Sequence, residues 1–297
     1  MDTKSSVQNC TFDYAEQKVR IEYAQLQNAE TPLVILIHGV GGSMEMFQEF
    51  TFPVLQYVRG RFIAINLPGY GESSVLNVKH TMANYREVLL GFLDTMGITR
   101  CHLVGISHGG ALVLSFAATY PKRVISVTAQ EAIYKGKEQF FWPTRLLLGA
   151  LGISTPLLLS PIDKVCSYFR GLPVVNYFMG RILNPVDLKL LRAAGDYGGV
   201  VQANARKSSM RAFCENLEDV SLVNITLELE GISVPTLITE GENTVSKSVR
   251  SSDKISRILP ASVRHTAVIP NSGHLSPHTN PQAFVATLMD FIIKHLN

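Results

Sequence analysis

A serine flanked by glycines stands in residues 105–110, which read Gly-Ile-Ser-His-Gly-Gly. The segment follows an apolar run and opens another one at residues 111–114, as a strand, a tight turn and a helix would. A serine at the tip of such a turn has strained backbone and an exposed hydroxyl. The N-terminus of the helix then points its free N–H groups at any anion that forms there. The pattern predicts Ser107 as a nucleophile and the N–H of His108 as one donor to an oxyanion.

A serine hydroxyl needs a base that can reach its proton, and the base needs a third group to orient it. The candidate base is His274, in residues 271–277, which read Asn-Ser-Gly-His-Leu-Ser-Pro. This segment follows the last predicted strand, and open α/β sheets build their sites at the carboxyl ends of the strands. The histidines outside these two segments are weaker candidates for the base, because they lie in predicted strands or at surface and loop positions. They are His38, His80, His102, His265, His278 and His295.

A second backbone donor is expected in the loop after the third predicted strand, residues 38–42, which read His-Gly-Val-Gly-Gly. The N–H of Val40 is the best candidate. The glycines also suggest a nucleotide-binding loop, but the G-x-G-x-x-G pattern requires glycine where Met44 stands, and a Walker A pattern is absent. We therefore predict an oxyanion loop, with no cofactor and no metal site.

The elements that must position these residues alternate along the chain. Alternating apolar and polar residues predict a half-exposed strand at 19–23, with residues 12–14 as its partner, and short apolar runs predict strands at 33–37, 62–65, 101–106, 124–127, 235–239 and 266–269. Helical patterns occupy residues 82–96, 111–120, 248–259 and 281–296. The first two strands are expected to form a hairpin, and the later ones read as strands buried on both faces. The alternation predicts an α/β fold with a mostly parallel sheet and helices on both faces.

Residues 137–232 interrupt this alternation, because they contain no clear buried strand. Prolines divide the region into short, leucine-rich helical segments. We interpret it as a helical insertion over the sheet, whose leucines form its own core, line a lid over a lipophilic pocket, or do both. Docking to a membrane surface through Phe140, Phe141 and Trp142 is a further alternative.

The composition is that of a globular protein, since 46% of the 297 residues are hydrophobic and 17% are charged. A net charge of +3 without Lys/Arg runs gives no reason to expect a nucleic-acid partner. Four widely spaced cysteines without a C-x-x-C pattern indicate a reducing compartment. The N-terminus has no apolar signal core, so we expect a cytoplasmic protein.

Five motifs, taken in order, resemble those of the α/β-hydrolase superfamily. They are the glycine loop at 38–42, Leu-Pro-Gly-Tyr-Gly-Glu-Ser at 67–73, the serine turn, Pro-Thr-Leu-Ile with Gly-Glu at 235–242, and Gly-His at 273–274. The resemblance covers nearly the whole chain. It implies a hydrolase core formed by residues 1–136 and 233–297, with residues 137–232 as the variable helical cap.

The chain departs from the family at the acid of the catalytic triad. The resemblance places an aspartate two residues after Glu242, where this chain has Thr244, which carries no charge. Some members of the superfamily, including a branch of the haloalkane dehalogenases, place the acid after the preceding strand instead, where Glu131 lies. Glu131 is therefore the predicted acid, and Glu240, Glu242 and Asp253 remain alternatives, as does a degenerate, non-catalytic site.

The serine nucleophile narrows the reaction that the resemblance implies, because dehalogenases and epoxide hydrolases of this superfamily attack with aspartate. We expect hydrolysis of an ester, thioester or lactone of a lipophilic small molecule through an acyl-enzyme. One alternative is C–C bond hydrolysis of a ring-cleavage dienoate, whose carboxylate would need a cap cation such as Arg145, Arg181 or Arg192. Another alternative is a ligand-binding member that has lost catalysis. The oligomeric state is left open.

Overall fold

The computed structural model describes residues 5–136, 208–244 and 251–296. Its centre is an eight-stranded sheet with the strand order β1-β2-β4-β3-β5-β6-β7-β8. The strands are β1 (Ser6–Tyr14), β2 (Gln17–Gln27), β3 (Leu33–Ile37), β4 (Arg61–Ile65), β5 (Cys101–Ile106), β6 (Val124–Gln130), β7 (Thr236–Gly241) and β8 (Arg264–Ile269). The β1–β2 and β2–β4 pairings are antiparallel, and the other five are parallel. The predicted α/β class and the N-terminal hairpin are confirmed.

Helices cover both faces of this sheet. They are α1 (Phe52–Leu55), which follows a π-helical turn (Phe47–Thr51), α2 (Met82–Thr95), α3 (His108–Thr119), α4 (Met210–Leu222), α5 (Thr226–Glu230), α6 (Ser251–Ile258), α7 (Ser276–Thr279) and α8 (Pro281–Ile293). A 3-10 turn (Pro121–Arg123) precedes β6. The four helices expected from sequence are present, whereas the short α1 and α7 were not predicted. In the described ranges, no helix combines the length and the apolar character needed to cross a bilayer.

The central strands are buried on both faces because alternate side chains enter two separate cores. On β3, Ile35 and Ile37 belong to the core beneath α2 and α3. Val34 and Leu36 belong to the core that contains residues of α8. This two-sided burial explains why residues 33–37 are continuously apolar.

The last strand differs from the expectation of a buried run. β8 is at the edge of the sheet, bonded to β7 alone, and most of its residues are exposed. Val268 is 56% exposed, whereas Ile269 at the end of the strand is fully buried. An edge strand with one covered face needs fewer apolar residues than a central strand does.

Only the end of the predicted cap lies within the described residues. There α4 and α5 are helical, as expected, and they pack directly on the sheet domain. The buried residues Ile225 and Leu229 belong to the same core as α2 and α3, and the Ser115 hydroxyl donates to Glu228 at 3.1 Å. Residues 137–207, with the predicted membrane-docking aromatics, lie outside the described residues, so the division into core and cap stays a prediction.

Candidate active site

Ser107 is at the turn between β5 and α3. Its backbone has φ 55° and ψ −115°, a conformation that non-glycine residues rarely adopt. The Ser107 N–H donates to the carbonyl of Gln130 at 2.9 Å, and its carbonyl accepts from the N–H of Ala111 at 3.0 Å. The strained turn therefore ties the end of β5 to β6 on one side and to α3 on the other.

The flanking glycines permit the close contacts around this turn. A Cβ atom on Gly105 would lie 2.1 Å from the carbonyl oxygen of Gly109, and a Cβ on Gly109 would lie 2.4 Å from that of His38. Both contacts are with backbone atoms, which cannot move aside as a flexible side chain can. The glycines at 105 and 109 thus let α3 start directly against the ends of β3 and β5.

Glu131 follows the last residue of β6, next to the serine turn, and it has a positive φ of 45°. Its side chain is only 8% exposed. Oε2 lies 2.9 Å from Nδ1 of His274, and Oε1 accepts a 3.0 Å bond from the N–H of Gly241 and a further bond from the Thr244 hydroxyl. Both oxygens of the carboxylate are therefore hydrogen-bonded, as a buried charge requires.

These contacts keep Glu131 ionised. Burial by itself would raise the pKa of this carboxyl group, but the hydrogen bond and charge of His274 and the donors from Thr244 and Gly241 hold the pKa below its usual value. A carboxylate in this state can orient an imidazole ring and stabilise its protonated form.

Thr244 and Glu242 both act in the site as supporting residues. Thr244 occupies the position at which the α/β-hydrolase resemblance predicts the acid, and its hydroxyl donates to the Glu131 carboxylate. Glu242 accepts the N–H of Asn271 at 2.9 Å, so it stabilises the loop that carries His274. The carboxylate observed at Nδ1 of His274 belongs to Glu131.

The loop from β8 to α7 places His274 at the same edge of the sheet as Ser107 and Glu131. The His274 side chain is 34% exposed. Because Nδ1 faces a carboxylate, the neutral ring carries its proton there and leaves the lone pair on Nε2. Nε2 is thus the atom that can accept a proton from a hydroxyl group.

His38 fixes the loop after β3 and ties it to the segment that follows β4. Nδ1 of His38 donates to the carbonyl of Gly39 at 2.8 Å, and Nε2 accepts the N–H of Leu67 at 3.1 Å. Burial lowers the pKa of His38 to about 4, so the ring is neutral and can make both bonds. Since a Cβ on Gly39 would lie 3.1 Å from Cβ of Ser107, the loop passes directly beside the serine, with Val40 next along the chain.

His108 begins α3, and its N–H is one of those at a helix start that have no partner within the helix. Its buried imidazole is turned toward α4, where Nε2 lies 3.3 Å from Oδ2 of Asp219. Asp219 also accepts the N–H of Met82 at the start of α2. Sequence reasoning did not identify Asp219, because its partners lie more than one hundred positions away along the chain.

Within the described part of the chain, no group of three or more His, Cys, Asp or Glu residues is arranged to hold a metal ion. The site as built offers a hydroxyl, an imidazole with an oriented carboxylate, and backbone donors. This set suits nucleophilic acyl chemistry.

Comparison with known proteins supports the fold and the family. The family model described as the alpha/beta hydrolase fold matches residues 32–148. The thermophilic esterase of Thermogutta terrifontis, solved with bound malate, superposes with a TM-score of 0.77 over 98% of this chain and 100% of that chain. At 16% identity, this likeness concerns the fold alone.

Two curated relatives match shorter stretches. The chain is 41% identical over 98 residues to the dihydrolipoyllysine-residue acetyltransferase component of the acetoin cleaving system of Pseudomonas putida, which is 33% of this chain and 26% of that protein. It is 29% identical over 177 residues to the 2-hydroxy-6-oxononadienedioate/2-hydroxy-6-oxononatrienedioate hydrolase of Paraburkholderia phymatum, covering 57% of this chain and 61% of that protein. Together with the strand order and the ordered motifs, these findings show that the chain has the α/β-hydrolase fold and is similar to hydrolases of that superfamily.

Proposed function

We propose that this α/β hydrolase cleaves a carboxylic ester, thioester or lactone of a lipophilic small molecule through an acyl-enzyme. The observation that carries the proposal is the 2.9 Å contact between Glu131 Oε2 and His274 Nδ1, at the sheet edge where Ser107 adopts its strained turn. Nucleophile, base and acid then come from the ends of β5, β8 and β6.

In the first half of the reaction, Nε2 of His274 takes the proton from Ser107 as Oγ attacks the carbonyl carbon. The negative charge on the former carbonyl oxygen is stabilised by the N–H groups of Val40 and His108. Glu131 stabilises the imidazolium ion. When the tetrahedral intermediate collapses, the bond to the leaving group breaks, and His274 donates its proton to that group.

In the second half, His274 takes a proton from water, and the resulting hydroxide equivalent attacks the acyl carbon. The acyl–oxygen bond to Ser107 breaks, the acid is released, and the serine recovers its proton from His274. The enzyme returns to its starting state without a cofactor.

C–C bond hydrolysis is the second candidate, and the likeness to the ring-cleavage hydrolase of Paraburkholderia phymatum favours it. The cap arginines that could hold the substrate carboxylate, at positions 145, 181 and 192, lie outside the described residues. Parallel assays with a coloured dienoate and a simple chromogenic ester separate the two reactions, because an esterase should turn over the ester and leave the dienoate unchanged.

The proposal also covers the substrate class, the partners and the cellular compartment. We propose a small-molecule lipophilic acyl substrate, no nucleic-acid partner and a reducing, cytoplasmic environment. The wide spacing of the four cysteines supports the reducing environment.

The decisive experiment is intact-mass detection of a fluorophosphonate adduct on the wild type and on Ser107→Ala. A single adduct on the wild type and none on the variant is expected, because only an activated serine reacts. A wild type that is folded but remains unlabelled would favour the alternative that this protein binds a ligand and has lost catalysis. Strong thermal stabilisation by a ligand would then support that alternative.

A further inference from the structure

Gln130 is a buried polar residue at the end of β6, and its contacts reach both Ser107 and the His274 loop. The side chain is fully buried between β5 and β7, where its neighbours in the pairing are Ile106 and Thr239. A buried amide must satisfy its donors and acceptor within the protein. The partners of this amide are therefore informative.

The main chain of Gln130 contacts the nucleophile. Its carbonyl oxygen accepts the N–H of Ser107 at 2.9 Å, and this bond holds the strained turn against β6. The next residue along the chain is the proposed acid, Glu131. The backbone at 130–131 thus positions two of the three triad residues.

The side chain of Gln130 reaches the loop that carries His274, the third residue of the proposed triad. Oε1 accepts the hydroxyl of Thr239 at 2.6 Å, and Nε2 donates to Oγ of Ser276 at 3.0 Å. Ser276 in turn donates to the carbonyl of Gly273 at 2.9 Å, directly before His274. The Ser272 hydroxyl lies 2.9 Å from that of Ser276 and also donates to the Ile269 carbonyl.

The direction of these hydrogen bonds is consistent along the chain of groups. Thr239 donates to Gln130, Gln130 donates to Ser276, and Ser276 donates to Gly273, so each hydroxyl proton is used once. All of these side chains are buried in the described structure. Because these groups are buried, this series of hydrogen bonds holds the His274 loop more firmly than the same bonds would at the surface.

We propose that Gln130 is a positioning residue that sets the distance between the His274 ring and Ser107. The inference rests on the proposed function and adds a residue that never touches the substrate. Its physical basis is that one residue holds the nucleophile turn by its main chain and the base loop by its side chain.

The test compares the wild type with Gln130→Met, which keeps the length of the side chain and removes the amide. We expect fluorophosphonate labelling and kcat to fall on the order of tenfold to a hundredfold with KM little changed, because small displacements of reacting groups cost this much. The matched control is Ser126→Ala, a buried polar residue of the same strand that bonds His102 away from the site. Labelling of Gln130→Met at the wild-type rate would overturn the inference.

Ser276→Ala provides a second variant in case the first does not fold, because it removes the same link to the His274 loop, and by itself it should lower kcat and labelling with KM little changed. If Gln130 acts through Ser276, the double variant should be no slower than the slower single variant, whereas independent effects would multiply. A double variant whose losses multiply would refute the proposed route.

A readout that does not depend on activity separates this inference from the proposed function. The proton on Nδ1 of His274, bonded to Glu131, should give a downfield NMR resonance that His274→Ala removes. In Gln130→Met we expect this resonance to shift or broaden, and in Ser126→Ala to remain. If the wild type is not labelled but the resonance shifts in Gln130→Met, the serine-hydrolase proposal is rejected and the positioning role of Gln130 is retained. If the resonance is unchanged in Gln130→Met, the positioning role is rejected.

Discussion

At the scale of single residues, the proposed site has its carboxylate one strand away from the position that the α/β-hydrolase resemblance predicts for the acid. Glu131 has two bonded oxygens and a lowered pKa, and Thr244 supplies one of the donors. The same sheet edge can hold the acid at either place because the ends of β6 and β7 are adjacent. What matters chemically is a charged oxygen at Nδ1 of His274.

Glu131→Gln should lower kcat on the order of 10⁴-fold with little change in KM, by analogy with loss of the acid in serine proteases. The neutral amide cannot stabilise the imidazolium ion. Steady-state kinetics on a chromogenic ester measure the effect, with the exposed Glu230→Gln as the matched control. Near-normal turnover would mean that another group is the acid.

Adding Thr244→Asp to Glu131→Gln should raise kcat at least about tenfold above that of Glu131→Gln. A tenfold gain requires only about 1.4 kcal/mol of regained interaction with the imidazolium ion, which is the size of a shift of one pKa unit. The reason is that the Thr244 hydroxyl already contacts the Glu131 side chain, so a carboxylate there starts close to the same ring. Thr244→Asp alone serves as the reference, and it should lower stability because two carboxylates would then adjoin. A double variant as slow as Glu131→Gln would argue against a movable acid.

At the scale of elements, the start of α3 depends on its closeness to the end of β3. Gly109→Ala should lower the free energy of unfolding by about 1–3 kcal/mol or more, because the added methyl group meets the backbone carbonyls of residues 37 and 38. Gly231→Ala is the control, since its nearest contact would be 3.6 Å away, and it should change stability by less than about 1 kcal/mol. Urea denaturation of the two variants measures both; equal stabilities would contradict the assigned contact.

The helix α4 docks on the core through a polar cluster centred on Glu215. This buried carboxylate accepts bonds from Nδ1 and the N–H of His80, at 2.6 and 2.8 Å, and from Arg211 at 3.0 Å. Burial acts to raise its pKa, but the bonds from His80 and Arg211 outweigh burial and lower it. The carboxylate therefore contributes stability when it is ionised.

Glu215→Gln should lower the free energy of unfolding by about 1–3 kcal/mol at pH 7, because charged hydrogen bonds become neutral ones. The folded pKa is lower than the unfolded value near 4.5, so this contribution is present above that value and is lost as the pH falls through the folded pKa. Denaturation curves at several pH values should show the variant and the wild type converging in acid. A constant difference across the range would contradict the role of the charge.

At the scale of the whole molecule, buried neutral histidines make stability depend on pH. Burial lowers the pKa of His38 and His278 to about 4, from 6.5. Between these values the unfolded chain binds protons that the folded chain does not, so the free energy of unfolding falls as the pH falls from about 6.5 to about 4.

Replacing His278 with phenylalanine should flatten this dependence. His278 packs edge to face against Phe50, with ring centroids 4.8 Å apart, so an aromatic ring of similar size fits the same place without a titrating group. Unfolding free energies measured from pH 7 to pH 4 should have a smaller slope in His278→Phe than in the wild type. Equal slopes would show that His278 does not titrate on unfolding.

The sequence by itself determined the features that depend on neighbouring residues. The serine turn, the alternation of strands and helices, and the apolar strands of a mostly parallel sheet are local patterns, and the structure confirms them. The order of the motifs was enough to indicate the α/β-hydrolase superfamily, and the absence of a charge at Thr244 was enough to predict Glu131 as the acid.

Only the tertiary structure decided which distant groups meet. Glu131 and His274 are 143 positions apart, and their contact arises because β6 and β8 flank β7 in the sheet. The supporting roles of Thr244, Asp219 and Gln130 were invisible in the sequence, because hydrogen-bond partners of a buried side chain are set by strand order and register. The exposure of β8 was likewise decided by its edge position, since a hydropathy pattern describes a strand and not its neighbours.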